Sequence, residues 1–282
     1  MKYISSTKWS IIAIIPLTIF AFSLPIQKPV HGLDIVLTVS TFLFAILVGF
    51  DLSRLYSRYT SVRQNIAEED ARLLSFYAKS KIYGKKFSKK IKEIVDQYCI
   101  KSLDFGIWKS EGYYYKPTAK DFLELYDAME KIKKYRHEGT YESMLDDLSQ
   151  IETSRNKASV FIYSQMSLKK QYFLFLLAIV ILFSLFFNVR SVEIYSQVIT
   201  ILLSSSLFLI IFILRDLNNF MLQTKGVGTE SKEEVLEFMG NQRYYNELNV
   251  ERGFTFIPKH AKTYRLGLHK PGEKQRIKIV KQ

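Results

Sequence analysis

The chain has 282 residues, of which 48% are hydrophobic and 24% are charged, and its formal net charge is +13. The apolar and charged residues are segregated into blocks, which is typical of a membrane protein. Cytoplasmic loops and surfaces that face anionic lipid carry such an excess of Lys and Arg. We therefore expect the lipid bilayer as a partner and no nucleic acid. A single cysteine, Cys99, excludes an intramolecular disulfide and any multi-cysteine zinc site.

Four apolar stretches without internal charge predict transmembrane helices, over residues 9–26, 35–50, 172–189 and 198–214. The first stretch also resembles a secretory signal, because Lys2 and Lys8 precede it and Ala21-Phe22-Ser23 is a small-x-small cleavage pattern. A second span follows after about ten residues, which favours a helical hairpin over a cleaved signal.

The charged flanks of these stretches predict how the chain crosses the bilayer. The two short connectors are near neutral, since one holds Lys28 with Asp34 and the other holds Arg190 with Glu193. The opposite flanks are basic and include Lys2, Lys8, Arg54, Arg58, Arg63, Lys169, Lys170 and Arg215. The positive-inside rule predicts a multi-pass protein of the cell membrane with both termini and the long central region in the cytoplasm.

The remaining residues predict an all-α protein whose spans continue as long helices into a cytoplasmic helical domain, because apolar residues recur there at spacings of three and four. We expect two transmembrane hairpins, over residues 1–50 and 168–216. A central helical domain lies between them at residues 51–167, and a C-terminal region follows at residues 217–282. Thr118-x-x-Asp121 predicts a capping box at the start of one helix. In the C-terminal region we expect a short helix between Ser231 and Gly240, and a mobile basic tail, His269 to Gln282, that contacts anionic lipid.

No catalytic constellation is found in the sequence. It has no H-x-x-x-H or H-E-x-x-H pair, no P-loop and no G-x-G-x-x-G. We therefore expect no enzyme, no catalytic residue, no bound metal and no cofactor. The acidic run Glu68-Glu69-Asp70 could coordinate a divalent cation, but three consecutive helical residues point in different directions. The alternative is a solvated helix face on which Glu68 pairs with Arg72.

The second span carries the most informative pattern. Phe42, Ile46 and Phe50 lie four residues apart and so form one stripe on the helix, which Thr38 and Asp34 continue outward and Arg54 continues inward. Periodicity alone leaves two interpretations open. The stripe either packs against neighbouring helices or lipid, or it serves a function.

The segment Ala45-Ile46-Leu47-Val48-Gly49-Phe50, followed by Tyr56, Arg58 and Arg63, resembles the second-helix motif of bestrophin-family channels. In bacterial members that motif reads approximately A-I-F-L-G-F, and the offsets of the Tyr and both Arg residues from its Gly agree with this chain. The segment Leu214 to Phe220 resembles the related bestrophin-like domain of unknown function. The chain departs from bestrophins at Tyr59-Thr60, where bestrophins have aromatic residues, and at Asn219-Phe220, where the Pro of Asn-Pro-Phe is missing.

The resemblance implies a homopentameric ion channel in which five copies of the second helix surround a pore. It maps the narrow neck of that pore onto Phe42, Ile46 and Phe50. Asp34 and Thr38 would then lie at the outer entrance, and Arg54 and Arg58 at the inner vestibule. Asp34 favours cations and the arginines favour anions, while family membership favours chloride or other small inorganic anions. The alternative function is a non-conducting membrane scaffold or sensor whose cytoplasmic helices bind a partner.

Overall fold

A computed structural model describes the chain over residues 5–23, 32–106, 116–132, 137–189, 194–222, 229–259 and 261–281. The all-α architecture is confirmed. The helices, in chain order, are α1 (Ser6–Ser23), α2 (Leu33–Ser80), α3 (Lys85–Phe105), α4 (Ala119–Glu130), α5 (Glu138–Tyr163), α6 (Leu168–Ser184), α7 (Ile194–Asn218), α8 (Thr229–Phe238) and α9 (Glu247–Glu251). A π-helical turn, Leu185–Val189, extends α6.

Four of these helices, α1, α2, α6 and α7, are long and apolar enough to cross a membrane. A helix suits the bilayer because all its backbone hydrogen bonds are made within the segment. Helix α2 has 48 residues, or about 72 Å at 1.5 Å per residue, so it exceeds the thickness of a hydrocarbon core. The predicted end of the first span at residue 26 and the connector residues Lys28, Arg190 and Glu193 lie outside the described residues.

The chain divides into two compact units. The first, which we call the span unit, comprises Ile4–Ser57 and Gln165–Leu222. In it α1 packs along α7, and Leu17 and Ala21 of α1 bury against Phe186. At one end of this pair the Ser6 backbone N–H donates to Asp216 Oδ2 at 2.8 Å, which satisfies an amide that the first turn of a helix leaves without a partner.

The second unit, which we call the helical unit, contains Arg58–Ser164 and Gln223–Gln282. The C-terminal half of α2 packs there with α3, α4, α5 and α8 around one apolar core, whose largest buried side chains include Phe76, Tyr98, Met129, Met144 and Tyr244. Amphipathic helices bury their apolar stripes in this way when they pack in water. The three-and-four spacing in the sequence predicts this core.

A small three-stranded sheet follows in the same unit. Strand β1 (Tyr244–Asn246) pairs in parallel with β2 (Thr263–Gly267), which pairs in antiparallel fashion with β3 (Ile277–Lys281). The expectation of a mobile tail is therefore wrong, because Tyr264 lies opposite Val280 and the tail forms an edge strand. Val280 of β3 packs against the small apolar cluster of Tyr245, Ala261 and Tyr264, a role that the basic composition of this segment obscured.

A buried carboxylate, Asp104 at the end of α3, fixes this sheet. Its Oδ1 accepts hydrogen bonds from the Tyr244 hydroxyl at 2.5 Å and the Asn246 amide at 2.8 Å, and its Oδ2 accepts one from His269 Nε2 at 3.0 Å. Burial and the neighbouring Asp104 raise the pKa of Tyr244, so this phenol stays protonated as a donor. Three residues of the C-terminal region thus depend on one side chain.

The predicted capping box is not formed. Thr118 does precede α4, but its hydroxyl makes no capping bond and instead accepts a hydrogen bond from Arg155 at 3.2 Å. Asp121 pairs with Lys101 of α3 at 2.7 Å. Contacts with distant residues therefore engage both side chains of the predicted capping box, Thr118 through Arg155 and Asp121 through Lys101.

Replacement of Asp104 by Ala should destabilise the helical unit by about 3 kcal/mol, because it removes the acceptor of three buried hydrogen bonds. We expect faster proteolysis and faster hydrogen exchange of residues 244–281, measured by mass spectrometry. The matched control is Asp127→Ala, because Asp127 is an exposed carboxylate on α4. Equal exchange of these residues in both variants would contradict the anchoring role of Asp104.

Candidate functional site

Helix α2 has one buried and one exposed face in its apolar half. The buried side chains are those of Ser40, Phe44, Val48, Asp51 and Leu55. At 100° per residue these five positions fall within a sector of about 80°. The centre of the predicted stripe, Ile46, lies roughly on the opposite side of the helix.

All three stripe residues are exposed in the single chain. Phe42 is 65% exposed, Ile46 is 41% exposed and Phe50 is 72% exposed. Such large apolar side chains need cover from lipid or from another protein surface. The span unit itself buries the other face of α2, so the stripe faces away from the rest of that unit.

The polar residues predicted to flank the stripe are exposed as well. Asp34, in the first turn of α2, and Thr38 lie before it, and Arg54 lies one turn beyond Phe50. The Thr38 hydroxyl donates to the Asp34 backbone carbonyl at 2.8 Å, so it is held against its own helix. The side chain of Arg54 is 52% exposed and keeps its guanidinium accessible.

Arg58 lies differently from the other predicted site residues. It is buried in the helical unit, where Nε donates to the Phe161 carbonyl at 2.5 Å and an Nη donates to the Ile162 carbonyl at 2.7 Å. These carbonyls belong to the last turn of α5, where backbone donors run out, although the Phe161 carbonyl also accepts a hydrogen bond from the Ser164 N–H at 3.3 Å. Within one chain, this arginine caps α5 and joins it to α2.

An ion pair next to the stripe was not predicted from the sequence. The carboxylate of Asp51, which directly follows Phe50, is fully buried, and Lys170 of α6 places its Nζ 2.6 Å from Oδ1. A charge at the very edge of an apolar run is the only local signal for this pair. Its partner lies on another helix and cannot be predicted from spacing along α2.

Residues 31–219, more than half of the chain, match the model of the Bestrophin-like domain family. The chain belongs to the bestrophin-like family. No curated protein matches the sequence. The stripe, its flanking residues and Asp51 all lie within the matched residues.

The fold of this bestrophin-like chain is similar to that in a crystal structure, phased on zinc, of a bacterial bestrophin homolog from Klebsiella pneumoniae. The TM-score is 0.60 at 14% identity, and the match covers 83% of this chain and 98% of the homolog. A variant of the same homolog gives a TM-score of 0.61 at 13% identity over 85% of this chain and 100% of that one. At this level of identity the likeness shows a shared fold.

In this bestrophin-like chain the acidic run on α2 separates into an exposed and a buried part. Glu68 is exposed and accepts a hydrogen bond from Gln64 at 3.0 Å, whereas Glu69 and Asp70 are buried. The predicted pairing of Glu68 with Arg72 is wrong, because Arg72 instead contacts Asp147 of α5 at 3.2 Å. Among the described residues, no group of three His, Cys, Asp or Glu side chains is arranged to hold a metal ion.

The two buried carboxylates bind the C-terminal helix α8 to α2. Lys232 of α8 places its Nζ 3.0 Å from Glu69 and 2.7 Å from Asp70, and the Tyr98 hydroxyl donates to Glu69 at 2.6 Å. Arg155 adds a second buried positive charge beside the Tyr98 ring. Two acidic and two basic groups therefore balance in one apolar core.

The two carboxyls have opposite pKa shifts. Burial raises the pKa of Glu69, but the charges of Lys232 and Arg155 and the hydrogen bonds from Tyr98 and Lys232 outweigh burial, so this pKa is lowered overall. Burial also raises the pKa of Asp70, the charge of Lys232 opposes it, and that of Glu69 adds to it, which leaves the pKa at about 6. Asp70 therefore takes up a proton just below neutral pH.

The raised pKa of Asp70 predicts the pH dependence of stability. The folded state binds a proton that the unfolded state, with an ordinary pKa of 3.8, releases, so stability rises as the pH falls from about 7 toward 5. The lowered pKa of Glu69 opposes this only below its ordinary value of 4.5. Relative to Asp70→Asn, the wild-type free energy of unfolding in urea should rise by about 1 kcal/mol between about pH 7.5 and 5.5.

Asp146→Asn is the matched control, because the side chain of Asp146 is 61% exposed and lies 3.9 Å from Arg72. This variant should keep the wild-type pH profile. Parallel profiles for the wild type and Asp70→Asn would show that Asp70 takes up no proton in this range.

Proposed function

We propose that this protein is an oligomeric ion channel of the cell membrane, a homopentamer as bestrophins are, in which copies of α2 surround the pore. The spans cross the bilayer as two hairpins, residues 1–50 and 168–216. The helical residues 51–167 and the C-terminal region 217–282 lie in the cytoplasm with both termini. The basic flanks of the spans support this orientation.

One observation carries the proposal. The stripe of Phe42, Ile46 and Phe50 faces away from its own unit, while the opposite face of α2 is buried. A ring of such helices would bring the stripes of neighbouring copies together on the axis. The match of residues 31–219 to a family that is named after bestrophins supports this choice over simple lipid contact.

The stripe would act as the neck of the pore. Rings of Phe and Ile offer no hydrogen-bond partner to a hydrated ion, so a narrow neck blocks flow by expelling water. A slight separation of the α2 helices lets water enter, and ions follow it. The pore would therefore open and close through changes in the width of this apolar constriction, and not through the movement of a charged group.

The charged residues at the two ends of the stripe would select the sign of the ion. Asp34 and Thr38 lie toward the outer entrance, where Asp34 attracts cations, and Arg54 lies at the inner end, where it attracts anions. The exposed guanidinium of Arg54 and the family likeness favour small inorganic anions such as chloride. The predicted vestibule role of Arg58 is not part of this proposal, because Arg58 is buried and its side chain is engaged by α5.

Replacement of Phe42, Ile46 and Phe50 together by Ala tests this function. The variant should conduct several-fold more chloride than the wild type when reconstituted in vesicles, because smaller side chains widen the neck and let it wet. The measurement is halide flux or single-channel current at equal protein density.

Helix α6 offers a matched control with the same three residue types at the same spacing, Phe175, Ile179 and Phe183, which are 52%, 46% and 52% exposed. Their replacement by Ala should leave conductance and selectivity unchanged. Unchanged conductance and selectivity in the α2 variant would remove the pore assignment and favour a non-conducting scaffold or sensor.

A further inference from the structure

Asp51 is a buried carboxylate next to the stripe on α2, and two positive charges compete for it. Lys170 Nζ lies 2.6 Å from Oδ1, and an Arg54 Nη lies 3.9 Å from the same oxygen. Neither carboxylate oxygen has a well-directed hydrogen bond. The carboxylate therefore depends on the charge of its neighbours, and at present the nearer neighbour is Lys170.

The three side chains differ in their exposure. Asp51 is 1% exposed, whereas Lys170 is 38% exposed and Arg54 is 52% exposed. Of the three residues, Asp51 would therefore lose the most free energy if its counter-charge were removed, because a buried ion without a partner is strongly unfavourable. Arg54 is three residues from Asp51 on the same helix, so it is always within reach as a replacement partner.

This competition matters because Arg54 is the charged residue that continues the stripe. While Lys170 compensates most of the charge of Asp51, the charge of Arg54 is left largely uncompensated at the end of the stripe. If Arg54 were the main partner of Asp51, the two charges would largely cancel there. A residue of α6 that does not lie on the stripe thus decides how positive that end is.

We propose that Asp51 and Lys170 determine the ion selectivity of the channel, because Lys170, the nearer of the two cations, balances most of the charge of Asp51 and so leaves the charge of Arg54 to attract anions. This inference rests on the proposed channel function. It assigns a role in specificity to two residues that the stripe pattern and the family motif do not include.

The test is the reversal potential of reconstituted protein under a sodium chloride gradient. Lys170→Gln should lower the chloride-over-sodium permeability ratio by about threefold or more, because Arg54, already 3.9 Å from Asp51, is then left as the partner of that carboxylate. Lys170→Arg keeps the charge and should leave the ratio unchanged. Asp51→Asn should not lower the ratio, and the double variant Asp51→Asn with Lys170→Gln should restore it to the wild-type value or above.

Rescue in the double variant would show that the lowered ratio of Lys170→Gln comes from the uncompensated charge of Asp51 and not from a structural defect. A structural defect would be worse in the double variant. If Lys170→Gln alone fails to assemble, the exchanged pair Asp51→Lys with Lys170→Asp keeps an ion pair and removes the carboxylate from α2. Its ratio should equal or exceed that of the wild type. A ratio below the wild-type value would overturn the inference.

The outcomes also separate this inference from the proposed function. A wild-type protein that passes no ions overturns both. If the protein conducts and Arg54→Gln lowers the permeability ratio, but Lys170→Gln leaves it unchanged, only the role of Asp51 and Lys170 is overturned. If the protein conducts and Arg54→Gln leaves the ratio unchanged, the role of Asp51 and Lys170 is overturned as well.

Discussion

The continuity of α2 is the constraint on which the rest of the structure depends. One helix of 48 residues contributes its apolar half to the span unit and its polar half to the helical unit. Each half must bury one face against its own unit, because a helix within a protein gains most of its stability from tertiary packing. The face that remains in the apolar half, with Phe42, Ile46 and Phe50, is therefore a consequence of how the other face is used.

Buried carboxylates provide long-range connections in both units. Asp51 with Lys170, Glu69 and Asp70 with Lys232, and Asp104 with His269 each join segments that are far apart in the sequence. Such pairs add little net stability compared with apolar packing, but the loss of one partner is costly. They therefore specify which elements meet. The same physics makes Asp51 dependent on its neighbours and Asp70 prone to bind a proton.

The sequence is sufficient to predict the features that local patterns encode. Apolar length predicts the spans, spacings of three and four predict the helical core, and the spacing of Phe42, Ile46 and Phe50 predicts their common face. Exposure alone would not select α2, since Phe175, Ile179 and Phe183 on α6 are exposed as well. The motif around Gly49, which resembles the second helix of bestrophins, is what favours α2 over α6 as the pore helix.

Pairings between distant segments could not be predicted in this way. Lys232 is 163 residues from Glu69, and the sheet joins strands of three to five residues within a basic segment. Thr118 and Arg58 illustrate the opposite error, because a local motif predicted a role while a tertiary contact uses the side chain. Short strands and buried ion pairs leave almost no periodic trace in a sequence.

An electron cryomicroscopy map of the protein in a lipid nanodisc would show whether α2 surrounds a pore. We expect a five-fold ring with α2 nearest the axis and with Phe42, Ile46 and Phe50 facing that axis. A monomer or dimer, or a ring in which these three side chains face lipid, would contradict it.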